Sequence, residues 1–212
     1  MIHNINFYRN QYQESIELFN KKLQLEIVAI YNLIFRNSNY HQIEGYDIFL
    51  GALPNARIQS AKELKKNHDI GAVLSLNEPW ERKPLLISIP HTKSQWNELN
   101  ISYKEIDAID HVLLSSDQME RSADYIHAQL SQKKKVYVHC RAGAGRSATA
   151  IAAYLIKYQN MGACQARDLI KKSRPLSTIH NKMKALEPFE TICRERLRSC
   201  PKTQLLSILG FF

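Results

Sequence analysis

Apolar residues in the first 45 positions recur at steps of three and four, which is the spacing of one face of an α-helix. The members of this apolar stripe are Ile16, Phe19, Leu23, Ile27, Ile30 and Ile34. The pattern predicts a helical extension over residues 1–45. Such a helix either packs on the main domain or lies on a membrane surface or a partner, and the sequence leaves both open.

From Tyr46 onward the pattern changes to short apolar, β-branched runs that alternate with helical stretches. The predicted strands are 47–50, 72–76, 102–106 and 136–139. The predicted helices are 59–67, 117–131, 146–158, 163–173 and 180–198. Asp117 and Glu120 suggest a capping pair for the second of these helices. The alternation predicts an α/β fold, with a mostly parallel central sheet flanked by helices.

The same pattern divides the 212-residue chain into three parts. Residues 1–45 are the helical extension, residues 46–198 form one α/β domain, and residues 199–212 form a C-terminal tail. The chain is basic at 194–198 and apolar at 205–212. These features suit either a packed terminus or attachment to an anionic membrane.

The composition, with 44% hydrophobic and 23% charged residues, is that of a soluble globular protein. The formal net charge of +9 indicates an anionic partner. The four cysteines show neither a C-x-x-C pair nor zinc-like spacing, which predicts a reducing compartment. The N-terminus does not resemble a secretory signal, and the apolar segment 23–35 is too short and too polar to span a bilayer. We therefore expect a cytoplasmic protein or one peripheral to a membrane surface.

The segment 136–147 carries the candidate chemistry. An apolar run ends at Cys140, a short loop with two glycines follows, and an alanine-rich helix begins at Arg146. A strand-to-helix loop of this kind points backbone N–H groups inward beside the positive end of the helix dipole, which makes a cradle for one phosphoryl group. Gly143 and Gly145 allow the backbone angles and the close approach that the cradle needs. We call residues 140–146 the phosphate loop.

Each side chain around the phosphate loop has a predicted task. The inward N–H groups stabilise the thiolate of Cys140, which can attack phosphorus. Arg146 offers a planar fork for two phosphate oxygens, and Ser147 can donate a hydrogen bond to the sulfur. His139 is expected to orient the loop, and Arg141 to contact a second anionic group or to be a solvated surface residue. The other loop residues that line the cradle are Ala142, Gly143, Ala144 and Gly145.

His139, Cys140, Arg146 and Ser147, with five residues between the cysteine and the arginine, resemble the signature of the protein tyrosine phosphatase superfamily in its compact dual-specificity branch. A basic residue directly after the cysteine is similar to the loop of some phosphoinositide phosphatases. The segments 46–54, 75–81 and 137–143 resemble the mitochondrial-type phosphatidylglycerophosphate phosphatases and their plant and bacterial relatives. The likeness spans roughly residues 25–195.

The sequence departs from that family in its Glu-Glu-aromatic-Glu motif, where Glu78 matches the first glutamate but Pro79 stands at the second. Nothing resembles a lipid-binding C2 domain, so membrane contact must come from the catalytic domain or its ends. Glu78 and Glu81 either anchor basic loop residues or form an ordinary surface pair. Asn181 either places the attacking water or caps a helix.

A phosphatase of this branch is expected to hold a carboxylic acid upstream that protonates the leaving oxygen. The resemblance implies an acid some thirty residues before the cysteine at a strand end. Asp110 matches that position better than Asp107, which remains the alternative. Either carboxylate could instead bond nearby backbone N–H groups.

These residues favour a cysteine-dependent phosphatase that forms a phosphocysteine intermediate and needs no metal or other cofactor. The resemblance and the net charge favour an acidic phospholipid substrate, either a phosphoinositide or phosphatidylglycerophosphate. The alternative is a phosphotyrosine or dual-specificity protein phosphatase. A non-catalytic phosphate-binding module and a sulfurtransferase are disfavoured by the presence of Arg146, Ser147 and Asp110. The expected partners are a lipid head group and an anionic membrane surface, not a nucleic acid.

Overall fold

A computed structural model of the chain describes residues 2–34, 40–58 and 60–199, and gives the side chains of the first helix between residues 13 and 31. Five strands form one sheet: β1 (Tyr40–Gln42), β2 (Ile48–Gly51), β3 (Ile70–Ser75), β4 (Ser102–Glu105) and β5 (Lys135–His139). Their order is β1-β2-β5-β3-β4. The four strands from β2 to β4 in this order are parallel, and β1 is antiparallel at the edge.

Helices connect and cover these strands. They are α1 (Ile2–Ile34), α2 (Ser60–His68), α3 (Lys93–Glu98), α4 (Ser116–Ser131), α5 (Arg146–Gln159), α6 (Ala163–Ser173) and α7 (Met183–Ser199), with 3₁₀ turns at Ala56–Ile58, Pro79–Arg82 and Ile179–Lys182. Within the described ranges, no helix is long and apolar enough to cross a membrane. The predicted α/β fold with a mostly parallel sheet is confirmed.

The strands β2, β3 and β5 at the centre of the sheet are buried on both faces, because their residues alternate between two apolar layers. On one face Leu74 and Val138 pack with residues of α4, α5, α6 and α7. On the other face Val73 and Tyr137 pack with α2 and with Trp96 of α3. Because four of the strands are parallel, their carboxyl ends share one edge of the sheet, and the loops that follow them meet there.

The predicted capping pair at the start of α4 is wrong. The helix is capped by Ser115, whose hydroxyl accepts from the backbone N–H of Gln118, while the Gln118 side chain accepts from the N–H of Ser115. Asp117 lies inside the first turn and forms an exposed ion pair with Arg121. The reciprocal capping box therefore lies two residues upstream of the predicted pair.

Two short elements are absent from the prediction. β1 lies within the segment 1–45 that was assigned to a helical extension, and it pairs with β2. It has three residues, which is too short for an alternating pattern to be recognised. α3 has six residues and follows a capping box formed by Thr92 and Gln95. The proposed division of the chain at residues 45 and 198 stays a prediction, and the tail from residue 200 lies outside the described residues.

α1 packs on the domain through the side opposite to its apolar stripe. Leu25 and Ala29 are buried, whereas the described members of the stripe are exposed. The side chain of Glu26 accepts hydrogen bonds from the backbone N–H groups of Ile87 and Ser88. α1 therefore packs on the main domain, which was one of the two interpretations of the sequence, but the stripe is not the side that packs and it is exposed at residues 16–30.

Candidate active site

The phosphate loop joins the carboxyl end of β5 to the first turn of α5, and its backbone requires glycine at residue 143. Gly143 has a φ of +66°, and a Cβ at this position would lie 2.3 Å from the carbonyl oxygen of Gly51. Gly145 has a φ of −113°, outside the left-handed region. A Cβ there would lie 3.3 Å from the hydroxyl of Thr178, so Gly145 allows close approach only.

Arg174, just after α6, holds two carbonyl groups of the phosphate loop. Its Nε donates to the oxygen of Gly143 at 2.8 Å, and its Nη2 donates to the oxygen of Ala142 at 3.1 Å. Its Nη1 lies 2.9 Å from Nδ1 of His41. Since these carbonyls are engaged by Arg174, the loop's N–H groups are left to face the cradle. The sequence offered no local signal for this residue, because it is distant along the chain from the loop.

The carbonyl of Ala144 is held in a similar way by the segment after α6. The Ser177 hydroxyl donates to it at 3.0 Å, and the backbone N–H of Thr178 donates at 2.9 Å. These bonds and those of Arg174 fix three successive carbonyl groups. The loop is therefore organised before any substrate binds.

Replacing Arg174 with methionine is expected to loosen the phosphate loop, because two buried carbonyl groups lose their donors. We expect the free energy of unfolding to fall by about 2–4 kcal/mol and the turnover of an aryl phosphate to fall with it. Urea unfolding and phosphate release measure the two effects. Arg167→Met is the matched control, since Arg167 is in α6 and pairs with exposed Asp168. Equal stability of the two variants would contradict the assignment.

Cys140 lies at the base of the cradle, and its side chain is buried. Burial alone would raise the pKa of the thiol, but the guanidinium of Arg146 and hydrogen bonds from Ser147 outweigh it and lower the pKa below its ordinary value. The Ser147 hydroxyl lies 3.4 Å from the sulfur. The start of α5 adds the positive end of its dipole. Cys140 is therefore poised as a thiolate.

Arg146 is buried and is held in place by Glu81. Its Nη1 and Nη2 donate to the two carboxylate oxygens of Glu81 at 2.6 Å and 3.0 Å, and its Nη1 also donates to the carbonyl of Ala108 at 2.9 Å. Glu81 itself accepts from the Asn77 side chain and the Glu78 backbone. Nε of Arg146 has no hydrogen-bond partner among the described residues. The structure thus places Glu81 against a loop arginine and not in a surface pair.

Asp110 lies between two arginines at the mouth of the cradle. Its carboxylate pairs with Nη2 of Arg141 and lies 3.2 Å from Nη2 of Arg146. Burial would raise the pKa of this carboxyl, but Arg146, Arg141 and His111 together lower it below its ordinary value. The backbone N–H of Asp110 donates to Glu78 at 3.1 Å. Glu78 therefore supports the backbone of Asp110 and contacts neither loop arginine.

Asp107 lies outside this arrangement. Its side chain is exposed and pairs with Arg82 at 2.5 Å. Together with Arg82 it lines a separate open cleft, which does not include Cys140. The geometry therefore favours Asp110 over Asp107 as the acid that faces the phosphate loop.

Arg141 is buried, so the solvated surface role considered for it is wrong. Besides Asp110, its Nη2 lies 3.5 Å from the side-chain oxygen of Gln24 in α1, and its Nε lies 3.8 Å from Glu81. Its Nη1 has no hydrogen-bond partner within the described part of the chain. Arg141 is confined between α1 and the acid, and a contact with a second anionic group of the substrate stays a prediction.

His139 and Asn181 take different positions. His139 is buried, and burial lowers the pKa of its imidazole to about 3, so the ring is neutral. Its carbonyl accepts from the N–H of Leu76 at 2.8 Å, which ties β5 to the end of β3. Asn181 is exposed in the 3₁₀ turn before α7, where its backbone N–H donates to the carbonyl of Thr178. The proposed roles of both residues stay predictions.

The cradle opens as a cavity of about 160 Å³, large enough for a phosphoryl group and part of its ester. It is lined by Asp110, His111, Cys140, Arg141, Ala142, Ala144, Gly145, Arg146, Thr178 and Lys182. Three of these residues were not predicted from the sequence: His111, next to Asp110, and Thr178 and Lys182, which reach the site from the segment after α6. A sequence offers little to distinguish such a lysine from the other cations of a basic chain.

Comparisons with known proteins identify the family of this chain. Residues 48–191 match the family of dual specificity phosphatase catalytic domains. The human phosphatidylglycerophosphatase and protein-tyrosine phosphatase 1 is 30% identical over 142 residues, covering 66% of this chain and 66% of that protein. Phosphatidylglycerophosphate phosphatase PTPMT2 of Arabidopsis thaliana is 29% identical over 155 residues, covering 72% of this chain and 63% of that protein. The chain thus spans about two thirds of these relatives' length.

A solved structure gives the same result for the fold. The crystal structure of PTPMT1 in complex with PI(5)P aligns with a TM-score of 0.67 at 25% identity, covering 74% of this chain and 98% of that chain. The resemblance stated from the phosphate-loop residues is confirmed. The family match over residues 48–191 covers the four parallel strands and the buried Cys140 and Arg146. The chain belongs to the dual-specificity phosphatase family and is a cysteine-dependent phosphoric monoester hydrolase.

Proposed function

We propose that this enzyme removes the terminal phosphate of an acidic phospholipid, either phosphatidylglycerophosphate or a phosphoinositide. The observation that carries the proposal is the concentration of cations around one thiol: Arg141, Arg146 and Lys182 all line the cavity above Cys140. A phospholipid head group presents negative charge beyond the phosphate that reacts. The names of the human and Arabidopsis relatives and the PI(5)P bound to PTPMT1 support this substrate class.

In the first chemical step the thiolate of Cys140 attacks phosphorus, and the bond between phosphorus and the lipid oxygen breaks. Asp110 gives its proton to the departing oxygen, so that the lipid leaves as an alcohol. Backbone N–H groups of the phosphate loop and Nε of Arg146 bind the non-bridging oxygens. Because Glu81 holds both terminal nitrogens of Arg146, the guanidinium is aimed before the substrate arrives.

In the second step water attacks the phosphocysteine, and the sulfur–phosphorus bond breaks. Asp110, now a carboxylate, accepts the proton from that water, and inorganic phosphate leaves. The sulfur departs as a thiolate, which the Ser147 hydroxyl stabilises from 3.4 Å. Cys140 and Asp110 thereby return to their starting states.

Asp110 must carry a proton when the substrate is bound, although Arg141 and Arg146 lower its pKa in the free enzyme. An incoming phosphate dianion competes for these guanidinium groups and places negative charge beside the carboxylate. Both effects raise the pKa of Asp110. Substrate binding therefore converts an ion-paired carboxylate into a proton donor.

A second candidate substrate is a phosphorylated protein. The human relative carries both activities in its name, which is the observation that keeps this candidate open. The net charge of +9 favours the lipid, since an anionic membrane surface would concentrate the enzyme at its substrate. We therefore propose that the enzyme acts at the surface of an anionic membrane.

A matched assay of phosphate release separates the two candidates. Phosphatidylglycerophosphate, PI(5)P and phosphotyrosine peptides are compared at one ionic strength, with Cys140→Ser protein as the blank. We expect kcat/KM to be at least about tenfold higher for one of the lipids, and the preference to shrink as salt is raised. If peptides exceed every lipid tenfold, the lipid assignment is wrong and only the reaction type stands.

A further inference from the structure

The exposed stripe of α1 is the largest set of unpartnered apolar side chains on one described element. Phe19 is 65% exposed, Ile27 57% and Leu23 50%, and Ile16 and Ile30 extend the row at either end. At 3.6 residues per turn these five residues lie within about 40° of one line along the helix. Apolar side chains in so regular an exposed row mark an interaction surface.

The stripe cannot turn inward without breaking the attachment of α1 to the domain. Leu25 and Ala29 are buried on the other side of the helix, and Glu26 binds the backbone N–H groups of Ile87 and Ser88. Gln24 contacts Arg141 beside the phosphate loop. The rotation of the helix about its axis is therefore fixed, with the stripe directed away from the domain.

The mouth of the active site carries further exposed apolar side chains. Ile109 precedes Asp110 in the loop after β4 and is exposed, while the exposed Val112 and Leu113 of the same loop line the neighbouring cleft that holds Asp107. Leu176 is also exposed, two residues before Thr178, which lines the cavity. The loop 109–113 and the turn after α6 thus present apolar side chains beside the cationic pocket, and α1 reaches the same pocket through the contact of Gln24 with Arg141.

We propose that the α1 stripe and the apolar side chains at the mouth form a docking face for an anionic lipid bilayer, which brings the phosphate loop to head-group level. This inference rests on the proposed lipid substrate. A bilayer accepts apolar tips from several elements of uneven height, and its head groups complement the cations of the pocket and the net charge of +9.

A second copy of the chain is the rival occupant, because the stripe's own spacings of three and four residues would also suit a helix pair. Such a pair would cover the stripe alone. The bilayer also accounts for the exposed Ile109 and Leu176 beside the cationic pocket and for the net charge of +9. The oligomeric state is therefore one arm of the test.

Vesicle sedimentation tests the docking face with a matched pair of substitutions. Leu23→Gln removes a leucine of the stripe, while Leu18→Gln makes the same change at a leucine that is 40% exposed on the other side of the helix. On vesicles of phosphatidylcholine and phosphatidylglycerol we expect Leu23→Gln to weaken binding about fivefold. The triple variant Phe19→Gln, Leu23→Gln, Ile27→Gln should weaken it at least about fiftyfold, and Leu18→Gln less than about twofold.

Turnover of a soluble aryl phosphate and thermal unfolding show whether each variant is intact, and both should match the unsubstituted enzyme. Unchanged vesicle binding by the triple variant would overturn the docking face. The docking face would also be overturned if light scattering shows that the unsubstituted enzyme is a dimer, that the triple substitution dissociates this dimer, and that the unsubstituted enzyme does not bind vesicles. Vesicle binding is measured without turnover, so failure of the lipid substrate proposal would appear separately, as absent hydrolysis of lipids dispersed in detergent micelles.

Discussion

Cys140→Ser is expected to reduce turnover by at least about 10⁴-fold on every phosphoester. A serine hydroxyl at this position has a far higher pKa than a thiol, so the field that stabilises the Cys140 thiolate cannot generate an alkoxide at neutral pH. The substitution is nearly isosteric, and Ser147, Arg146 and the loop N–H groups remain. The fold and the affinity for phosphate should therefore be retained.

Single-turnover phosphate release and a thermal unfolding curve measure the two parts of this prediction. Cys164→Ser is the matched control, because Cys164 is an exposed thiol in α6 that does not line the cavity. It should leave both quantities unchanged. Robust turnover by Cys140→Ser protein, or equal loss in both variants, would exclude the phosphocysteine mechanism.

The phosphate loop could be predicted from the sequence because its constraints are local. Strand β5, the cysteine, the glycine at 143 and the first turn of α5 follow one another in a single segment, so that the backbone path and the signature coincide. The four parallel strands were predicted for a similar reason. β2, β3 and β5 are runs of mostly buried apolar residues, and such runs are recognisable without knowledge of their partners. β4 is polar and partly exposed, and it was predicted from its place in the alternation of strands and helices.

The supporting interactions could not be predicted in the same way, since they join segments distant in sequence. Arg174 binds loop carbonyls across the fold, and Lys182 reaches the cavity from the turn before α7. The sequence left two roles open for Glu81, an anchor for a basic loop residue or a member of a surface pair. Only its burial against Arg146 decides between these roles. Arg141 was placed near the substrate, whereas its burial beneath α1 depends on where that helix packs.

The α1 stripe shows the limit of periodicity as evidence. The period of three and four residues correctly predicted a helix. It did not predict which side would be buried, because an apolar row is compatible with either a protein core or an external apolar phase. The domain holds α1 through Leu25, Ala29 and Glu26, which form no conspicuous pattern in the sequence.

Asp110→Asn is expected to slow turnover by about 10²- to 10⁴-fold on an alkyl phosphate such as a lipid head group. An alkoxide leaves poorly without a proton, whereas an activated aryl oxide needs hardly any protonation. The same variant should therefore lose much less activity on an aryl phosphate with an acidic phenol. The asparagine keeps the shape of the side chain and its contacts near Arg141 and Arg146 while removing the transferable proton.

The pH dependence of turnover is an independent test of Asp110 as the proton donor. Asp110 acts in its protonated form, so activity should fall as pH rises through its pKa in the substrate complex, and it should rise with pH where the Cys140 thiol ionises. In Asp110→Asn protein the alkaline fall should disappear, while the acid limb set by Cys140 remains. Asp107→Asn is the matched control, since Asp107 pairs with Arg82 outside the cavity. If Asp107→Asn shows the leaving-group effect and the lost alkaline limb while Asp110→Asn does not, the proton donor is Asp107 and the assignment is wrong.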